Sequence, residues 1–108
     1  MNLPNHLLRE AGRLASSQTV RRVELSADIG RLEGRRALTE AEKVRLEDLR
    51  AELEICSQAL ARFASYRPWK DAEPNCPHCW IVYGEHSPLR VGAEPDTCEC
   101  GTCRTKYP

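Results

Sequence analysis

Cys76-Pro77-His78-Cys79 and Cys100-Gly101-Thr102-Cys103 are the stretches on which the reading of this 108-residue chain turns, with the twenty residues 80–99 between them. A Cys-x-x-Cys turn brings both sulfurs to face one point, and two such turns supply the tetrahedral sulfur shell that Zn²⁺ prefers. Paired motifs at this separation rarely arise for another reason. The spacing therefore predicts one structural zinc held by Cys76, Cys79, Cys100 and Cys103. Cys98 makes the second motif Cys98-Glu99-Cys100-Gly101-Thr102-Cys103, and Cys98 in place of Cys100 is the alternative ligand. Because a one-residue gap is a less usual knuckle, Cys98 is assigned to the strand leading in. His78 and His86 read as bystanders, since four thiolates complete the shell. Such a closed site leaves no position for a substrate water, so a catalytic zinc is not expected.

Between the knuckles, Trp80-Ile81-Val82-Tyr83 reads as a short strand, Gly84 to Pro88 as a turn, Leu89-Arg90-Val91 as a second strand and Gly92 to Asp96 as a loop. A third strand is expected within Arg104 to Tyr107. Over Asn75 to Pro108 this layout resembles the zinc-ribbon family, which implies two knuckles clamping one zinc at the end of a small antiparallel sheet. Cys-Pro-His-Cys also occurs in thioredoxin-fold oxidoreductases. That fold needs the first cysteine at a helix start inside a βαβ framework, whereas a β-type run follows here and the remaining chain is too short.

Upstream, the apolar positions Leu46, Leu49, Leu53, Cys56, Leu60 and Phe63 alternate in steps of three and four, a heptad seam on one helix face. Thr39 and Glu42 form a capping box at its start, and Pro68 disfavours helix at the residue before it. Leu7, Ala11, Leu14, Gln18, Leu25, Ile29 and Leu32 share a face of a preceding helix. The connection Gly34 to Leu38 is short enough to make the two helices antiparallel neighbours. Cys56, in the seam, reads as a small core hydrophobe. The expected architecture is a small α+β protein: a coiled-coil-like helical hairpin over residues 1–67, a linker at 68–75 and a zinc ribbon at 76–108.

Lys and Arg balance Asp and Glu at sixteen each, and residues 1–66 carry eleven against ten. Strong non-specific nucleic-acid binding needs a concentration of positive charge, so nucleic acid is not the favoured partner, although a local patch is compatible with this balance. No apolar run approaches spanning length and no signal-type segment opens the chain, which points to a cytosolic protein with reduced thiols. Neither a Ser/His/Asp constellation nor a phosphate-binding glycine loop is visible, so no enzyme activity is expected.

These features predict an interaction or adaptor protein with two contact surfaces, the hairpin and a ribbon bearing Trp80, Tyr83, His86 and Arg90. On the first helix Val20, Val23 and Ala27 fall nearly opposite the main stripe, and on the second Val44, Ile55 and Ala59 lie on a flank. Those residues predict a homodimer, or failing that a protein partner. The layout also resembles the bacterial factors that insert a coiled-coil tip into the secondary channel of RNA polymerase, which would make the chain a transcription-associated factor. Their tips are acidic, whereas Arg31, Arg35 and Arg36 stand here beside Glu33, Glu40 and Glu42. A phage or mobile-element inhibitor of a host enzyme is a third reading.

Overall fold

The computed structural model describes residues 3–92 and 97–107. Helix α1 runs over Leu3–Glu33 and α2 over Glu40–Ala64, packed antiparallel along their length. Thr39 caps α2 in the expected manner: its Oγ1 accepts from the Glu42 amide at 3.1 Å while the Glu42 carboxylate accepts from the Thr39 amide at 3.0 Å. The tip is laced by exposed arginine–carboxylate pairs, Arg35 with Glu42 and Arg50 with Glu33. Further down, Arg21 reaches Glu52 across the hairpin at 2.6 Å. Exposed pairs of this kind add little to stability; they fix which residues face each other.

The apolar stripes close into two cores. Near the tip, Leu25 and Ile29 of α1 meet Leu46, Leu49 and Cys56 of α2, with Leu32, Leu38 and Leu53 at the edge. Cys56 is thus the small core residue its seam position predicts. At the open end the partners change. Leu7 and Ala11 of α1 and Ala59 of α2 pack with Tyr66, Cys76, Cys79, Ile81, Leu89, Cys100 and Tyr107, so hairpin and cysteine-bearing segment share one core.

That shared core corrects two seam assignments. Ala59, expected on an outer flank, is buried, whereas Phe63, expected in the seam, is 37% exposed. A strict heptad drifts across a straight helix, and at this level α2 must face α1 and a third layer at once. Its buried line accordingly shifts from the Leu60–Phe63 side to Cys56 and Ala59.

Residues 68–75, expected as linker, hold a two-stranded hairpin, β1 (Trp69–Lys70) against β2 (Glu73–Pro74). Its two turn residues, Asp71 and Ala72, both have left-handed backbones, as a type I′ connection requires. Asn75 then ties the chain down: its amide donates to the Pro68 carbonyl at 2.8 Å and its carbonyl accepts the Tyr66 hydroxyl at 2.6 Å. Beyond it, the sheet β3 (Leu89–Val91), β4 (Cys98–Cys100) and β5 (Lys106–Tyr107) is antiparallel in sequence order. β3 falls where expected, Cys98 opens β4, and the third strand is confined to the end of its predicted range. The expected loop Gly92 to Asp96 lies largely outside the described residues.

The expected strand Trp80–Tyr83 is instead part of a wide, π-type helical turn over Cys79–Tyr83. Two tertiary contacts select it. Short helices leave their last carbonyls unpaired, and here the Arg62 guanidinium takes those of Ile81 and Val82 at 2.8 and 2.9 Å. In return, Trp80 Nε1 donates to the Arg62 carbonyl at 3.0 Å. Gly84 ends the turn with a left-handed backbone, and a Cβ there would also press on the Arg62 side chain. β-type side chains at 80–83 obscured a helix stop at Gly84, which its position marks.

The cap yields a stability test: Thr39→Ala removes one arm of the box and should cost about 1 kcal/mol in urea unfolding, with helix content unchanged under native conditions. A loss of the hairpin itself would show that the cap nucleates the fold.

Candidate metal centre

Four successive segments each deliver one sulfur. Cys76 follows the Asn75 anchor, Cys79 begins the helical turn, Cys100 ends β4, and Cys103 lies in the turn before β5. The turn between Cys100 and Cys103 is closed by the Arg104 amide on the Cys100 carbonyl at 2.9 Å, with Arg104 left-handed. These turns fold back because each cysteine's side chain lies in the shared core: Cys76, Cys79 and Cys100 are fully buried, and Cys103 is half-buried at the rim.

All four Sγ atoms lie within 4.8 Å of one another. Cys76 Sγ stands 3.7 Å from Cys103 Sγ, and Cys79 Sγ 3.6 Å from Cys100 Sγ. A tetrahedron of sulfurs about Zn²⁺ with Zn–S of ~2.3 Å has edges of ~3.8 Å. The arrangement can hold a metal ion and is consistent with a zinc-binding module. Among the described residues no other group of histidine, cysteine or acidic side chains gathers in this way. Cys98 is on β4 but outside the cluster, as are His78 and His86. His78 is half-buried, not turned to solvent; its ring meets Tyr83 edge-on at 5.5 Å and its Nδ1 is enclosed without a partner.

The surroundings of the sulfurs were not legible in the motifs. The Tyr107 hydroxyl is 3.3 Å from Cys76 Sγ, and Thr105 Oγ1 is 3.2 Å from Cys103 Sγ. The Cys103 amide donates to Cys100 Sγ at 3.5 Å. Such outer contacts orient ligands, and those from the Tyr107 hydroxyl and the Cys103 amide favour the thiolate. Tyr107 had a faint signal, an aromatic in a strand just after the last cysteine; Arg62 and Asn75 had none.

Without a cation the thiols resist ionisation unequally. Burial pushes Cys76 far up, against the Tyr107 hydroxyl, which favours its thiolate. Burial likewise raises Cys79, to about 11. Burial is the largest single influence on Cys100 and raises it, but the amides of Cys103 and Thr102 together with the thiols of Cys79 and Cys103 outweigh it and bring the thiol down to about 7. Buried Tyr66 and Tyr107 are also raised, chiefly by desolvation.

Comparison with family models, with curated proteins and with solved structures finds no match to this chain. The cluster's chemistry therefore has to speak from its own geometry.

Two measurements check it. Serine at Cys76, Cys79, Cys100 or Cys103 should abolish stoichiometric metal content, while Cys98→Ser should leave it near normal; the reverse pattern for Cys98 and Cys100 would exchange their roles. Metal affinity should rise with pH, because binding displaces at least the protons of Cys76 and Cys79, whose metal-free thiols remain protonated at neutral pH. Two displaced protons alone give about a 100-fold gain in affinity per pH unit, and the proton of Cys100 steepens the dependence below about pH 7. A chelator-competition titration that is flat in pH would contradict the thiolate shell.

Proposed function

We propose that this is a non-enzymatic interaction protein in which one structural zinc, held by Cys76, Cys79, Cys100 and Cys103 in a zinc-ribbon-type module, locks the base of a helical hairpin. The observation that supports it is the cluster of four sulfurs, all within 4.8 Å of one another, at the core shared with α1 and α2. Four thiolates leave zinc no open position, so the metal's role is to hold shape. A module of this size buries too little to fold unaided, and structural zinc supplies an apparent ~10 to 16 kcal/mol. The hairpin then stands as a rod, within a molecule 58 × 23 × 20 Å across.

The rod's contact face, in this reading, is the outer side of α1. Val20 and Val23 are 59% and 65% exposed there, and Ser16 and Ser17 beside Val20 leave a shallow groove. Small residues let a second helix approach closely, so a homodimer of hairpins is the simplest use, with a different protein as the other. The polymerase-factor reading gains nothing from the tip, where Glu33, Glu40 and Glu42 are each paired with a basic side chain. No helix among the described residues is long and apolar enough to cross a membrane.

Sedimentation equilibrium at tens of micromolar tests the self-association. The wild type should run as a dimer, and Val20→Glu with Val23→Glu should give a folded, helical monomer. A monomeric wild type would remove the homodimer and leave the stripe to a different protein. Purification from the native host with and without nuclease then separates a protein partner, which survives the treatment, from one held through nucleic acid.

A further inference from the structure

A cleft of 220 Å³ opens beside the joint between hairpin and metal module, lined by Ser65, Arg67, Trp69, Lys70, Asn75 and Trp80. It lies apart from the sulfur cluster and contains both tryptophans of the chain. Its walls combine flat aromatic surface with two cations and no acidic side chain. Asp71 and Glu73, on the same hairpin as Lys70, do not line the cleft, so the fold sets its two cations apart from the acidic groups nearest in sequence. We infer that the cleft binds one nucleotide of a single-stranded nucleic acid, its base stacked on Trp69 and its phosphate between Lys70 and Arg67.

Each part of the cleft is placed for that task. Trp80 is a fixed wall: its indole N–H is committed to the Arg62 carbonyl and its ring is covered by the Lys70 ammonium at 5.0 Å. Lys70 stands across the hairpin from Glu73, yet its charge is carried over the indole. Trp69, in contrast, is 45% exposed, a large ring held on a short hairpin with a face left to solvent. Arg67 donates to the Tyr66 carbonyl through Nη1, which fixes the stem while the residue stays exposed. Base–aromatic stacking combined with cations along the backbone is the general means of holding single strands, because every base has a π face.

The wall contributes a further polar feature. Asn75 is 1% exposed and its Nδ2 donates to the Arg67 carbonyl, while its Oδ1 is enclosed without a hydrogen-bond partner. An enclosed acceptor of this kind is costly, and Asn75 serves the cleft as packed wall. Carboxylate peptides match the cations, but they would leave the open Trp69 face without a flat partner. The space admits a single base, so the site adds weak, strand-specific affinity to the assembly and cannot hold a duplex.

Because Trp69 and Trp80 are the only tryptophans, intrinsic fluorescence reports on the cleft directly. The full chain with zinc is titrated with an oligothymidylate of about ten nucleotides, an unstructured single strand of ordinary site length. Quenching should saturate, and the affinity should fall with salt at a slope of about −0.7 for the one phosphate engaged. Trp69→Ala should weaken binding of the labelled strand, read by anisotropy, about 5- to 150-fold, the ~1 to 3 kcal/mol of one base–aromatic stack. Lys70→Glu should weaken binding and flatten the salt slope. Both side chains are exposed, so circular dichroism and zinc content should match the wild type. Absence of quenching and of anisotropy change up to about millimolar strand, an unaltered Trp69→Ala affinity, or saturation by an acidic peptide but not by the strand would each overturn the assignment.

Discussion

Four sulfurs held within 4.8 Å of one another, most of them out of reach of water, form an arrangement that thiolates alone would not tolerate. In the metal-free state burial holds the protons on Cys76 and Cys79, while hydrogen bonds favour the thiolate of Cys100. A cation among them removes the conflict, since each sulfur then faces the positive charge before it faces its neighbours. Everything at the base of the molecule is arranged around that point: the helical turn presents Cys79, β4 presents Cys100, and Tyr107 closes over Cys76.

The cluster also explains why the hairpin has the shape it has. Two helices joined at one end have a thin seam, and here the tip half is closed by leucines and Cys56 alone. The other half opens to admit Cys76, Cys79, Ile81 and Tyr107 against Leu7, Ala11 and Ala59. Alanines at the crossing are what make room, because a larger side chain at position 11 or 59 would meet the cysteine-bearing segment. Cysteine cluster and hairpin therefore support one another through a common core, and Arg62 adds a polar bolt, two guanidinium bonds outward and one carbonyl bond back.

From that joint the two surfaces of the molecule diverge in character. The outer side of α1 offers exposed valines beside small residues. Beside the joint, Trp69, Trp80, Lys70 and Arg67 offer aromatic and cationic surface in a confined space. Val20 and Val23 stand partway along α1, whereas the cleft is built from residues that follow the end of α2.

Much of this was written in the one-dimensional pattern. The helices, their antiparallel pairing, the Thr39–Glu42 cap, the burial of Cys56 and the strand at Leu89–Val91 follow from periodicity and turn chemistry, which are local. The grouping of Cys76, Cys79, Cys100 and Cys103 was equally legible, because paired Cys-x-x-Cys spacing encodes it. What the pattern concealed depends on groups far away in sequence. Trp80–Tyr83 has strand-type side chains, yet Arg62, about twenty residues earlier, binds the carbonyls that a helical turn leaves open. Ala59 is buried and Phe63 is not because a third layer redirects the seam. Sequence by itself determined which segments are regular and which sulfurs belong together; tertiary structure decided the form of the chain after Cys79 and the cleft around Trp69, since hydrogen bonds between distant residues outweigh the weak local preferences of a few side chains.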